Sequence, residues 1–250
     1  MCIANSSYRA RLAVGIGVPQ SRISIVHPGV DMPVPETTSN DFRARFDLGD
    51  RPLLLSVGRL IARKGLLEFV ENALPQIVAK FPDVCLVVLG DETPELLHGS
   101  SAGLGERIRQ RAAALRIRHN LRFIGLQDDA TLASTYRAAD VHVFPVCEVA
   151  GDVEGFGMVA VEAAAQGLPT VAFAVGGLPD AVIEGRTASL VAPDDYGAFD
   201  GAVARILDNV EDVRASEECI ATARRFGWGN FGARLCALLD DVMGRNRHER

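Results

Sequence analysis

Lysine is nearly absent from this chain. Of its 26 basic residues only Lys64 and Lys80 are lysines, so arginine supplies almost all the positive charge. That charge is outnumbered by 32 acidic residues, which leaves a formal net charge of -6 and a pI of about 5.4. Such a balance lacks the basic face that a nucleic-acid binder needs, although single cations can still hold a phosphate. No C-x-x-C pair occurs, and the five cysteines (Cys2, Cys85, Cys147, Cys219 and Cys236) are odd in number and scattered. They read as reduced thiols, several of them small buried apolar groups, rather than as a disulfide framework. No signal-peptide pattern and no apolar run of membrane-spanning length is visible. A soluble, cytoplasmic protein is expected, with loose attachment to the inner face of a membrane left open. Two nucleotide motifs are also missing. There is no G-x-x-x-x-G-K-[ST], which excludes a P-loop, and no G-x-G-x-x-G after the first strand, which counts against a dinucleotide-binding oxidoreductase.

What is present is apolar: 48% of 250 residues, enough for one large domain or for one domain with a small appendage. From Arg51 onward strands and helices alternate. Short apolar runs at 52–57, 84–90, 120–125, 140–145, 169–174 and 188–192 read as strands. Between them, residues 64–81 carry Leu66, Phe69, Val70, Leu74, Ile77 and Val78 on one helical face, which Pro75 kinks or divides. Residues 128–139 read as a helix capped by Asp128 or Asp129. Continuous rather than alternating apolar strands, each followed by a helix, predict an α/β fold. It is a doubly wound, Rossmann-like parallel sheet of about six strands with helices on both faces. We assign it residues 51–210. Residues 1–50 do not fit this domain and read as the end of an N-terminal domain with an interdomain connector: a helix, a short strand and a turn, then "PVPETTSND" at 33–41. Residues 211–250 read as helical, within a helical tail that runs from Asp194 nearly to the end and breaks at 225–231. No internal repeat or low-complexity tract stands out.

Two segments could carry chemistry. "GRLIARKG", Gly58 to Gly65, lies between the first strand of the sheet and a helix. Ligands of doubly wound sheets bind beyond the carboxyl ends of strands, so Arg59 and Lys64 could converge on an anion, a diphosphate being the obvious one. The bland alternative is a solvated turn with routine charges. The second segment is "EGFGMVAVEAAAQG", Glu154 to Gly167. Gly155 and Gly157 allow close backbone approach to a ligand, and the helix that follows offers free N–H groups to an anion. Glu162 falls on the second turn of that helix among alanines and valines. A buried carboxylate needs partners, and the hydroxyl pair of a ribose would serve. An arginine partner or a solvent-facing position would serve as well. Glu154, before the helix, could orient sugar hydroxyls or stabilise a cationic transition state. It could also be a charge favourable to the helix dipole.

Together these residues resemble the E-x7-E glycosyltransferases, specifically glycosyltransferase family 4 of the GT-B fold. Glu154 and Glu162 stand at the motif's spacing. "GRLIARKG", "AFAVGGLPDAV", "EGRTASLVAPDD" and the early "SSYRARLAVGIGVPQSRISIVHPGVDM" match other family segments, so the resemblance covers almost the whole chain. It implies a hexosyltransferase that retains anomeric configuration without a bound metal or other cofactor, its donor a nucleotide sugar. By that resemblance Arg59 and Lys64 bind the donor diphosphate, with the backbone of Gly157 and Met158. Glu154, the catalytic residue, binds the transferred sugar with Gly155, Phe156 and Gly157. Glu162 binds the ribose. The base would meet the loop after Gly90 and residues from Phe123 to Gly125. The wording around the motif is similar to bacterial lipid-acceptor mannosyltransferases, which favours GDP-mannose over a UDP-sugar.

The family's members also have an N-terminal domain that supplies the acceptor site, a glycine-rich loop and a histidine. None of His27, His98, His119, His142 and His248 matches that histidine by motif, and His27 reads as structural. A truncated, split or mis-started chain is therefore expected, with a separate N-terminal chain as one partner and a sugar or lipid acceptor as another. Trp228, Phe231, Leu235, Leu238, Leu239 and Val242 would contact that domain, or else pack on this chain's own core. Two rival functions remain: a nucleotide-sugar epimerase, and a non-catalytic nucleotide-sugar-binding subunit.

Overall fold

A computed structural model of the chain describes residues 1–32, 39–92, 103–209 and 217–248. The connector read at 33–41 lies largely outside them, as do residues 93–102 of the loop after Gly90 and the side chains of His98 and His248.

The first elements stand apart. Strand β1 (Cys2–Ala4), helix α1 (Ser7–Gly15) and strand β2 (Ile23–Ile25) form a small parallel pair with its connecting helix. The sequence reading had only one strand here. β1 is three residues long, too short to show a pattern of its own, and is defined by its pairing with β2. Helix α1 begins as a capped helix should: the Ser6 hydroxyl accepts from the Arg9 N–H. The short helix α2 (Ser39–Arg45) then leads into the main sheet.

That sheet has six parallel strands in the order β5-β4-β3-β6-β7-β8. They are β3 (Leu53–Val57), β4 (Cys85–Leu89), β5 (Leu121–Gly125), β6 (Val141–Phe144), β7 (Thr170–Phe173) and β8 (Ala188–Val191). All six fall inside the runs read from the sequence. The apolar character of the four central strands, β4, β3, β6 and β7, has its cause in burial from two sides; the edge strands β5 and β8 are only partly buried. Leu54, Leu86 and Val88 face one core cluster, while Leu53, Leu55, Cys85 and Val87 face another. Each fully buried leucine or valine contributes about 1.5–3 kcal/mol. Helices α3 (Leu66–Asn72) and α4 (Leu74–Lys80) are the halves of one predicted helix, divided beside Pro75, which has no N–H to continue the ladder. Helices α5 (Leu104–Ala114) and α6 (Asp129–Ala138) follow β4 and β5, and Asp128 caps α6 by accepting from the Thr131 N–H at 2.7 Å. Helix α7 (Met158–Ala165) follows β6, the short α8 (Leu178–Ala181) follows β7 and α9 (Tyr196–Asp208) follows β8.

The buried Arg43 of α2 fastens that helix to the sheet. It donates to the carbonyls of Ala138, Gly49 and Arg51 and pairs with Asp140, whose carboxylate also accepts from the Leu53 N–H. The chain ends with α10 (Glu217–Ala223), a 3-10 turn at Arg224–Phe226 and the long α11 (Trp228–His248). That turn is the break expected at 225–231. No side chain described in α11 is buried; Trp228 and Leu239 are exposed, and Phe231, Leu235, Leu238 and Val242 are half-buried.

Candidate functional site

Strands β3, β4 and β5 step one way across the sheet and β6, β7 and β8 step the other. The turning point lies between β3 and β6, the place where a doubly wound sheet has its ligand crevice. Both sequence-predicted segments end up there.

The loop after β3 is bound to the loop after β6. The Cys147 N–H donates to the Arg63 carbonyl at 3.0 Å. Gly65 has a φ of +64°, and a Cβ there would lie 1.9 Å from the Pro145 carbonyl, so only glycine fits. This seam carries the charges. Lys64 Nζ donates to Glu154 Oε2 at 2.8 Å and sits 4.5 Å from the centre of the Phe144 ring. Arg63, almost buried, donates to the same Glu154 oxygen at 2.5 Å and to Asp152 at 2.8 Å. The sequence reading placed Arg59 beside Lys64 and passed over Arg63. In the structure Arg63 is the second cation on the carboxylate. Arg59 is exposed and has no ion pair among the described residues. It is close enough to add to the electrostatic pressure on Lys64.

Burial pushes the Lys64 pKa down; Glu154 opposes this, while Arg63 and Arg59 reinforce it. For Glu154 burial acts upward, but Lys64 and Arg63 outweigh it and hold the carboxyl below its ordinary value. Glu154 is therefore an ionised carboxylate at neutral pH, enclosed by two cations.

The backbone around it is fixed by glycine. The Gly177 N–H donates to the Glu154 carbonyl at 2.9 Å, and a Cβ on Gly177 would lie 2.0 Å from the Gly155 carbonyl. The Ser6 hydroxyl donates to that same carbonyl at 2.6 Å, and the Ser7 N–H to Asp180, so the β1–α1 unit rests on this loop. The Phe156 side chain is buried, stacked on His27 at 5.2 Å and edge-on to Phe226, so any part Phe156 takes in binding is through its backbone. Gly157, at φ +98°, precedes α7, whose first turn has no side-chain cap. Its orphan N–H groups, with the positive end of the helix dipole, favour an anion.

Glu162 is half-buried and pairs with no arginine among the described residues. The Tyr136 hydroxyl of α6 donates to its Oε2 at 2.9 Å. Burial raises the Glu162 pKa, Tyr136 and Lys64 oppose the rise, and Asp129 and Asp31 add to it. Glu162 lines a groove of about 250 Å³ with Tyr136, Met158, Gln166, Asp31 and Trp228. One wall of the groove is made where the first and last described segments meet: the Val30 N–H donates to the Phe226 carbonyl, and Trp228 covers Gly29. Tyr136 was also missed from sequence. Under it lies His142, fully buried, with Nδ1 3.0 Å from the Thr170 hydroxyl and a pKa lowered by burial to about 3, hence neutral. A larger concavity of about 770 Å³, lined by Arg51, Arg109, Arg116, Arg118 and Arg122 among others, shares no lining residue with this groove and includes neither Glu154 nor Lys64. Near the predicted base-contact segment, Gly125 at the end of β5 accepts from the Gly90 N–H at 3.0 Å, so those two positions adjoin.

Comparison with known proteins agrees with this architecture. The chain is 34% identical over 253 residues to a D-inositol 3-phosphate glycosyltransferase of Mycolicibacterium smegmatis, covering 99% of this chain and 55% of that protein. It is 32% identical over 243 residues to a GDP-mannose-dependent alpha-(1-6)-phosphatidylinositol monomannoside mannosyltransferase of the same organism, covering 92% of this chain and 59% of that one. The chain thus spans a little more than half the length of these curated relatives. Among solved structures, Anabaena HepE in complex with UDP superposes with a TM-score of 0.83 at 20% identity, over 96% of this chain and 63% of that one, and so shares the fold. The family model described as glycosyl transferases group 1 matches residues 38–226, three quarters of the sequence, with both glutamates and the cationic loop inside the match, and the chain belongs to that family.

Proposed function

We propose that this chain is the donor-binding portion of a retaining hexosyltransferase. The observation that carries the reading is convergence. At the turning point of the sheet an ionised Glu154, the cations Lys64 and Arg59 and the uncapped start of α7 lie together, with Glu162 one turn further along α7. A nucleoside diphosphate sugar has groups to match each of them. Arg59, Lys64 and the N–H groups of Gly157 and Met158 meet the diphosphate. They also stabilise the charge that grows on it as the bond to the sugar breaks. Glu154, with the loop Gly155-Phe156-Gly157, holds the transferred sugar and faces the positive charge developing on it. Glu162 accepts the ribose hydroxyls.

The donor we favour is GDP-mannose, in keeping with the relative named for it. The acceptor is a sugar or lipid, reached at the inner face of a membrane; no described helix is long and apolar enough to cross one. The acceptor side of the cleft belongs to a further domain, in the same or a separate chain, which the greater length of the relatives supports. Binding needs no metal, because protein cations do that work.

Calorimetric titration of the chain with GDP, UDP and ADP, in the presence of a chelator, tests the reading. Saturable binding of one of them, lost in Arg59→Ala, is the expected result. Failure of all three to bind would refute it.

A further inference from the structure

We infer that Tyr136 is a positioning residue for Glu162, fixing the carboxylate so that its second oxygen is presented to the ribose hydroxyl pair; this rests on the donor-site reading above. Tyr136 is 2% exposed, and Glu162 is the only partner its hydroxyl has among the described residues. The ring cannot swing away. Its edge meets His142 at 6.2 Å and 81°, and His142 is held in turn by the Thr170 hydroxyl. A rigid line therefore runs from β7 through β6 to α6 and ends at one oxygen of Glu162. That oxygen is committed to the phenol. Among the described residues no group donates to Oε1, while the side chain lines the groove. A glutamate has three rotatable bonds, and ordering them at the moment of binding would weaken any contact it makes. The phenol removes that freedom beforehand. It also favours the ionised carboxylate, the form that accepts from two hydroxyls. The charged or titratable groups facing Glu162 are otherwise Lys64, which favours the charge, and Asp129 and Asp31, which oppose it.

The test compares wild type, Tyr136→Phe and Glu162→Gln, each titrated with GDP and with 2′,3′-dideoxy-GDP, or with the UDP or ADP pair if the first titration selects that base. Tyr136→Phe keeps the ring and its packing and removes the hydroxyl alone. It should weaken GDP about tenfold and leave the dideoxy nucleotide unchanged, because that ligand makes no use of Glu162. The acid limb of the pH–affinity curve should also move to higher pH, since the carboxylate has lost a bond that favoured its charge. Equal weakening of both nucleotides would make Tyr136 merely structural and overturn the proposal. If Glu162→Gln weakens GDP and Tyr136→Phe does not, the positioning role alone falls. If Glu162→Gln has no effect, the ribose assignment falls, and this proposal with it.

Discussion

Glu154 carries its own counter-ions. Lys64 and Arg63 both donate to one of its oxygens, so a diphosphate approaching Lys64 exchanges one anion for another instead of neutralising a free charge. Glu154→Gln should therefore bind the nucleoside diphosphate at least as tightly as wild type, with a steeper loss of affinity on adding salt, because Lys64 is released. Calorimetry at two ionic strengths checks this, and a weaker complex would contradict it. Arg63 has a different role. It is nearly buried and spans Asp152 and Glu154, so Arg63→Met leaves two carboxylates without their shared cation and should cost about 3 kcal/mol in urea unfolding. Because the Glu154 pKa is lowered on folding, the stability it contributes is present above the ordinary glutamate value of 4.5. It is lost as pH falls through the lowered value. Acid unfolding of Glu154→Gln, followed by circular dichroism, should show a shallower dependence in that window than wild type. Neither Arg63 nor Tyr136 was legible in sequence, since their partners lie 91 and 26 residues away and only the fold brings them together. Glu154 and Glu162 could be singled out because they stand in one segment, at the spacing of the motif the chain resembles.

At the scale of elements, the four central strands were readable because they are buried on both faces and so are largely apolar, while the edge strands β5 and β8 are half-buried and β5 carries the exposed Arg122. Their order was not, because pairing is long-range. β1 was unreadable: three residues carry no period, and only β2 defines them. Glycine again marks what the strands could not, the seam between loops. Gly176 and Gly177 follow β7 and press on the backbone of Glu154 and Gly155. Gly177→Ala would force apart two carbonyl-lined turns that hold the carboxylate in place. Nucleotide binding should fall at least tenfold while the far-ultraviolet circular dichroism stays near wild type, and a Gly177→Ala chain that binds as wild type does would show that the seam has slack.

For the molecule as a whole, the first and last described segments meet over the Glu162 groove, where Val30 bonds to Phe226 and Trp228 caps Gly29. Trp228 is the single tryptophan of the chain, half exposed at that wall. Nucleotide binding should therefore change its emission, and the change should be absent in Trp228→Phe, giving a direct optical measure of occupancy. The same long-range geometry has a kinetic side. β3 lies in the centre of the sheet, yet its neighbour across the crevice is β6, with Leu54 beside Val141. The chain between them forms β4, β5 and helices α3 to α6, so this pairing joins residues far apart in sequence, and such closures are slow. Secondary structure can return early after dilution from denaturant. The crevice cannot, so the power to bind nucleotide should reappear only with the slowest refolding phase.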